Sequence, residues 1–323
     1  MKDRPVILIS AVSGDIGGGA VRALRESSSR LIGCDMKDGC PVSPILDSFF
    51  KAPAASDQNK YMAFLKNVIS AEKVDAFLPI SEPEIELLNK QRTEIESLGV
   101  NILLNNQLIL ENFLDKFKTA HFLNSLGIRT PRTILLRDYD GSIGFPIIIK
   151  PRRGYGSKRL WIVEDEHDLV YVKKKDDGLL IVQEYLGRVE EEYTTGVFSD
   201  GCKVSSITFK RRLGFGGLSA EAVYYESPFL EELAENIASA TALRGCINIQ
   251  SRRLDENLFV PFEINPRLSS TLSFRKHFGF DDAVWWLNIL FGGSYKYIKK
   301  FKAGKVVRFV SDYYFDMEEI AGR

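Results

Sequence analysis

"INIQSRRLDENLFVPFEINPRLSST", residues 247–271, is the stretch on which the reading of this chain turns. Two apolar strands meet there at a polar turn, "LDEN". Glu263 and Asn265 stand two apart on the second strand, so their side chains leave the same face. Gln250, on the first strand, falls opposite Glu263 when the hairpin folds. A carboxylate and two amide oxygens converging there form a hard-oxygen site suited to Mg2+, with water and nucleotide phosphate oxygens as the other ligands and Mn2+ as an alternative ion. Arg267, two residues further on, adds a guanidinium pointing the same way, able to hold a transferring phosphoryl group. An exposed polar hairpin is the plain alternative. Asn-Pro-Arg directly after an apolar strand speaks against it.

Working back from that hairpin, Lys150 closes the apolar strand "FPIIIK", and "PRRGYGSKRL" follows it. A lysine aimed from a rigid strand and a loop containing Gly154, Gly156 and Ser157 suit phosphate binding. Lys116, in "LDKFKTA", is a second candidate cation. "IVQEYL" ends a strand at Glu184, Tyr185 and Leu186, whose backbone could pair with an adenine edge, and Glu192 in "EEYTTG" offers a carboxylate for ribose hydroxyls. "ITFKRRLGFGG" holds Lys210, Arg211 and Arg212, one of which is expected to be a phosphate or acceptor ligand that the sequence does not single out; Lys210 and Arg212 are carried as catalytic candidates. In "SSTLSFRKHFGF", Arg275 or residues 269–271 could grip a substrate carboxylate, with Arg275 as an ordinary helix-surface charge the equal alternative.

Residues 5–105 alternate apolar runs with helical periods, as a parallel sheet with crossover helices requires. "VDAFLPI" is nearly continuous apolar, the pattern of a strand covered on both faces. The first strand runs into "SGDIGGG", whose Gly14, Gly17, Gly18 and Gly19 do not match the G-x-G-x-x-G spacing of a dinucleotide turn, although Asp35 resembles a ribose-binding acid. Either the turn is a tight strand-to-helix connection, or its amides face a substrate that is not a dinucleotide. The fold class is therefore α/β followed by α+β. The expected divisions are a Rossmann-like domain over 1–108, linking helices over 109–129, a small antiparallel lid over 130–186 and a catalytic unit over 187–323.

Composition narrows the function. Lysine plus arginine and aspartate plus glutamate number 43 each, so no global field favours nucleic acid or an anionic membrane. The four cysteines form no CxxC pair, which argues for reduced thiols in a cytoplasm. No apolar run approaches the roughly 20 residues that span a bilayer. "YKYIKKFKAGKVVRF" reads as a solvated hairpin or helix edge rather than a nucleic-acid surface. His121, His167 and His277 lack ligand spacing, and the S-x-x-K of Ser273 to Lys276 lacks its companion motifs.

Through "DKFKTAHFLNSLGIRTP", "FPIIIKPRRGYGS", "VQEYL", "EEYTTGVF", "NIQ" and "FEINPRLSST", residues 109–290 resemble the ATP-grasp superfamily, in the branch around the carbamoyl phosphate synthase large subunit. The resemblance makes the first domain the family's pre-ATP-grasp domain, whose glycine turn faces the acceptor substrate. It implies Lys116 and Lys150 on nucleotide phosphates, Glu184, Tyr185 and Leu186 at the adenine hinge, and Glu192 on ribose. It also implies Gln250, Glu263 and Asn265 on magnesium, and Arg267 on the phosphoryl group. The chain has one such unit where a full large subunit has two, which puts carbamoyl phosphate synthesis itself in doubt. The function expected is an ATP-dependent ligase that joins a small carboxylate and an amine or ammonia through an acyl phosphate, with a homodimer left open. The rival readings are an NAD(P)-dependent oxidoreductase built on the first domain and a nucleotide-binding module without turnover.

Overall fold

The computed structural model describes residues 4–27, 29–38, 40–154, 159–187, 189–256, 258–300 and 303–309. Its first unit is a five-stranded parallel sheet built from β1 (Val6–Ser10), β2 (Arg30–Asp35), β3 (Ser48–Lys51), β4 (Ala76–Leu78) and β5 (Asn101–Ile102), in the order β3-β2-β1-β4-β5. Helices α1 (Asp15–Leu24), α2 (Gln58–Glu72), α3 (Glu82–Lys90) and α4 (Arg92–Glu96) cross between the strands. Central strands β1 and β4 are buried throughout, as their continuous apolar runs require. The half-buried edge strand β3 was absent from the sequence reading. The apolar period of residues 84–98 runs on, yet the helix breaks at Gln91, which caps both α3 and α4.

The glycines of α1 have a steric purpose. A Cβ on Gly17 would lie 2.3 Å from the carbonyl oxygen of Ala11, so the turn after β1 closes only over glycine. Asp35 accepts from the amides of Ser13 and Lys37, both at 2.9 Å, which engages its carboxylate in the turn itself.

Helices α5 (Gln107–Phe113) and α6 (Lys116–Ser125) lead out of this unit, α6 capped by Asp115 through the amides of Phe117 and Lys118. A four-stranded antiparallel sheet follows, β6 (Thr133–Leu135), β7 (Ile147–Pro151), β8 (Trp161–Val163) and β9 (Leu180–Glu184), in the order β6-β9-β7-β8 and backed by α7 (Glu166–Lys173). The largest sheet is antiparallel: β10 (Glu192–Asp200), β11 (Val204–Leu213), β12 (Ser219–Tyr225), β13 (Arg244–Asp255), β14 (Leu258–Asn265) and β15 (Lys305–Val307), with α8 (Pro228–Ala240) between β12 and β13. Helices α9 (Leu272–His277) and α10 (Asp282–Leu290) follow β14.

Part of the basic C-terminal stretch, expected as a hairpin or helix edge, instead supplies β15, which pairs antiparallel with β12. The first unit is fastened to the large sheet by one core cluster that includes Val21 and Leu24 of α1, Leu272 of α9 and Trp286 of α10. Asn105 adds a polar fastening, donating to the carbonyls of Cys246 and Pro266 at 2.7 and 3.0 Å. Among the described residues, no helix is long and apolar enough to cross a membrane.

Candidate active site

A cavity of about 1090 Å3 lies between the two antiparallel sheets and the start of α1, and the inner face of the β13–β14 hairpin forms part of its wall. The hairpin register sets Gln250 against Glu263 and Asn248 against Asn265. Gln250 Nε2 donates to Glu263 Oε1 at 3.4 Å, and Asn265 Nδ2 donates to the same oxygen at 3.3 Å. The register slips between Gln250 and Ser251, leaving Phe262 as the extra residue of a bulge. Its ring lies 5.6 Å from Lys150 Nζ.

Cations surround this carboxylate. Lys150, buried at the end of β7, has its pKa pushed down to about 8 by burial, with Glu263 opposing the shift. Lys116, the first residue of α6, donates to the Gly154 carbonyl at 2.7 Å and lies 4.0 Å from Glu263 Oε2. Burial alone would raise the Glu263 carboxyl; Lys116, Lys150, Arg211 and Arg267 outweigh it and hold the group below the ordinary carboxylate range. Arg267 Nη2 donates to Glu82 Oε1 at 2.8 Å, linking the loop after β14 to the start of α3. This concentration of fixed positive charge around a carboxylate and two amides suits a polyanion carried with a divalent cation. Glu263 and Asn265 fit Mg2+, because a turn of the Asn265 amide exchanges nitrogen for oxygen at the same place, and Gln250 joins them by freeing its oxygen from Arg211.

Lys116, Lys150, Gly154, Glu184, Tyr185, Leu186, Glu192, Gln250, Glu263, Asn265 and Arg267 therefore share one cavity. The carboxylates of Glu184 and Glu192 are engaged as well. Glu184 Oε2 accepts from the Arg132 amide at 3.1 Å, and the Glu192 carboxylate accepts from Arg211 Nε at 2.9 Å and Arg252 Nη2 at 3.1 Å. Gly156 and Ser157 lie outside the described residues.

Three expected residues are placed elsewhere. Lys210 pairs with Glu191 at 2.5 Å, and Arg212 pairs with Glu221 at 3.3 Å; neither lines the cavity. Strand alternation explains both, since residues 210 and 212 share one face of β11 and Arg211 takes the other. Arg275 is neither a surface charge nor a substrate clamp. Its guanidinium is 1% exposed, pairs with the equally buried Asp282, and donates to Ser269 Oγ and Thr271 Oγ1 at 2.8 and 3.0 Å. Gly196 makes room for it, because a Cβ there would lie 2.7 Å from Arg275 Cδ.

The sequence left Arg211 open among three consecutive cations and gave no signal for Arg252. Arg211 Nη2 donates to Gln250 Oε1 at 2.7 Å, so one guanidinium joins the candidate metal ligands to Glu192. The period-two rule applied to "FKRRL" separates Arg211 from its neighbours, once it is known which face of the strand is inward.

Comparisons with known proteins bear on the fold and on descent. A family model described as "ATP-grasp in the biosynthetic pathway with Ter operon" matches residues 176–313. A second, the N-terminal domain of PylC-like proteins, matches residues 12–103. The carbamoyl phosphate synthase large chain of Campylobacter jejuni is 25% identical over 268 residues, covering 76% of this chain and only 24% of that protein. The biotin carboxylase domain of Hydrogenobacter thermophilus 2-oxoglutarate carboxylase, solved with MgADP, ADP and bicarbonate, superposes with a TM-score of 0.74 at 15% identity, over 93% of this chain and 72% of that one. The L-amino acid ligase of Bacillus licheniformis gives a TM-score of 0.71 at 15% identity, over 90% and 75% of the two chains. Those structural likenesses speak for the fold. The two family models speak for descent: residues 176–313 resemble an ATP-grasp family and residues 12–103 the N-terminal domain of PylC-like proteins.

Proposed function

We propose that this protein is an ADP-forming ligase that uses magnesium-ATP to join a carboxylate and an amine. The observation that carries the reading is the meeting of Lys116 and Lys150 with Gln250, Glu263 and Asn265 on one cavity. The two lysines and Arg267 neutralise phosphate charge, and a substrate carboxylate oxygen attacks the γ-phosphorus as ADP leaves. The amine then displaces phosphate from the acyl phosphate to form the amide. Bound magnesium, held by Glu263, Gln250 and Asn265, supplies charge neutralisation at the phosphates. This chain contributes no covalent nucleophile; it contributes position, fixed cations and exclusion of water. The antiparallel sheet of β6 to β9 is the lid, and Glu184, Tyr185 and Leu186, where that sheet ends, form the adenine hinge.

The MgADP in the biotin carboxylase relative and the amino-acid chemistry named for the L-amino acid ligase support the two halves of this reaction. This chain spans about a quarter of the carbamoyl phosphate synthase large chain that it matches.

A thermal-shift comparison tests the reading. Magnesium-ATP at about 100 times its Kd stabilises the fold by roughly 2.7 kcal/mol, and Glu263→Ala/Asn265→Ala loses that gain. Stabilisation by NADPH in both proteins, with none from ATP, refutes the reading in favour of a dinucleotide at the glycine turn.

A further inference from the structure

Two carboxylates of the first unit reach guanidinium groups that line the cavity. Glu82 and Glu86 stand one turn apart on α3, so they share a face of the helix. Glu82 Oε1 accepts from Arg267 Nη2 at 2.8 Å, and Glu86 Oε1 accepts from Arg153 Nη1 at 2.7 Å. The two pairs differ in depth. Arg267 and Glu82 are 13% and 11% exposed, whereas Arg153 and Glu86 are 49% and 34% exposed. An exposed pair contributes little, while breaking a pair withdrawn from water leaves a charge uncompensated.

The start of α3 is a rigid base for Glu82. Ser81 caps the helix and Glu84 completes a capping box. The buried Glu84 carboxylate accepts from the amides of Ile80 and Ser81 at 3.1 and 3.3 Å, and from the hydroxyls of Ser10, at the end of β1, and Tyr61 of α2. The turn that carries Glu82 is thus pinned to the parallel sheet. Arg267 has a second anchor in its own loop, where Nη1 donates to the Leu268 carbonyl at 3.0 Å. Bonds at both terminal nitrogens of a planar guanidinium fix its plane as well as its place.

We infer that Glu82 is a positioning residue for Arg267, so that the first unit, through α3, sets the orientation in which Arg267 meets the terminal phosphoryl group of magnesium-ATP. The inference rests on the ligase reading, which puts Arg267 on that group. Glu82 is not part of the cavity lining and acts through Arg267.

Loss of Glu82 has two opposed effects. It frees the guanidinium to turn, which weakens its hold on the phosphoryl group, and it removes a negative charge, which strengthens attraction for any polyanion. Glu82→Gln removes the charge and keeps an acceptor oxygen at the same reach; Glu82→Asp keeps the charge and draws the anchor back by a methylene; Glu82→Ala removes both.

Calorimetry on the full chain, with magnesium-ATP and magnesium-ADP as probes, gives the ratio of the ADP Kd to the ATP Kd. Only ATP carries the group that Arg267 meets. In Glu82→Ala that ratio should fall about tenfold, as expected for a misplaced charge-assisted hydrogen bond, while Glu82→Gln should stay within about twofold of wild type. Should Glu82→Ala fail to fold, Glu82→Asp is the variant to read, and its ratio should fall about threefold or more. A merely structural role lowers both affinities together and leaves the ratio where it was. An unchanged ratio, a raised one, or an equal fall in Glu82→Gln overturns the inference and leaves the ligase reading standing. A wild type that binds neither nucleotide overturns both.

Discussion

Burial of Lys150 on β7 strips water from its ammonium, and the pKa near 8 is the result. The protonated form is the one that attracts phosphate, so magnesium-ATP affinity of the free enzyme should fall as pH rises through about 8. With a pKa of 8, about one molecule in eleven carries the proton at pH 9, and the apparent Kd should be about tenfold weaker than at pH 7. Lys150→Arg, which keeps its charge, should flatten that profile in a calorimetric titration; an equal slope in both proteins would remove Lys150 from the site. Stability runs the other way. The unfolded lysine, at its ordinary 10.5, binds the proton more tightly than the native one, so this residue's contribution rises with pH between about 8 and 10.5. Arg275 makes a different residue-scale prediction. Removing one member of a buried ion pair leaves the other charge uncompensated, so Arg275→Ala should cost about 3–5 kcal/mol in urea unfolding. An undiminished unfolding midpoint would return Arg275 to solvent.

Strand β11 states the site's logic at the scale of one element. Lys210, Arg211 and Arg212 are three consecutive cations with similar chemistry, and the pleat alone separates them. Arg211→Gln should weaken magnesium-ATP by about tenfold or more, because it removes charged hydrogen bonds to Glu192 and Gln250. Lys210→Ala and Arg212→Ala should leave affinity within about twofold and cost at most about 1 kcal/mol each, as exposed pairs do. Equal losses at all three positions would show that the face assignment fails. The β13–β14 hairpin is the contrasting element, because its side-chain directions follow from a short turn and two apolar strands. Its pairing of Gln250 with Glu263 was therefore legible in advance, whereas the inward face of β11 depends on its neighbours in the sheet.

At the scale of the molecule, the cavity is bounded by the two antiparallel sheets and by the start of α1 in the first unit, so ligand binding and domain packing are coupled. Arg153 pairs with Glu86 of α3 at 2.7 Å, and Arg152 pairs with Asp115 at the start of α6 at 2.7 Å, so the end of β7 is tied to the two elements beside it. Magnesium-ATP should slow amide hydrogen exchange across β7 and β9, with little change in the buried strands β1 and β4. Uniform protection of all three sheets would point to global stabilisation without lid closure.

The sequence by itself determined most of the order of α and β elements, β3 and β15 excepted, the hairpin that carries Glu263, Asn265 and Gln250, and the lysines that end or begin rigid elements near it. These are local matters: hydrophobic period, turn chemistry and a two-residue repeat act within a few positions. Only the tertiary structure decided that Arg275 is sealed against Asp282, that Arg211 rather than its neighbours enters the cavity, and that Arg308 reaches back to Asp15. Each of those depends on which distant charge lies close enough to pair and which face of a sheet is buried. Coulomb pairing and burial act across space rather than along the chain.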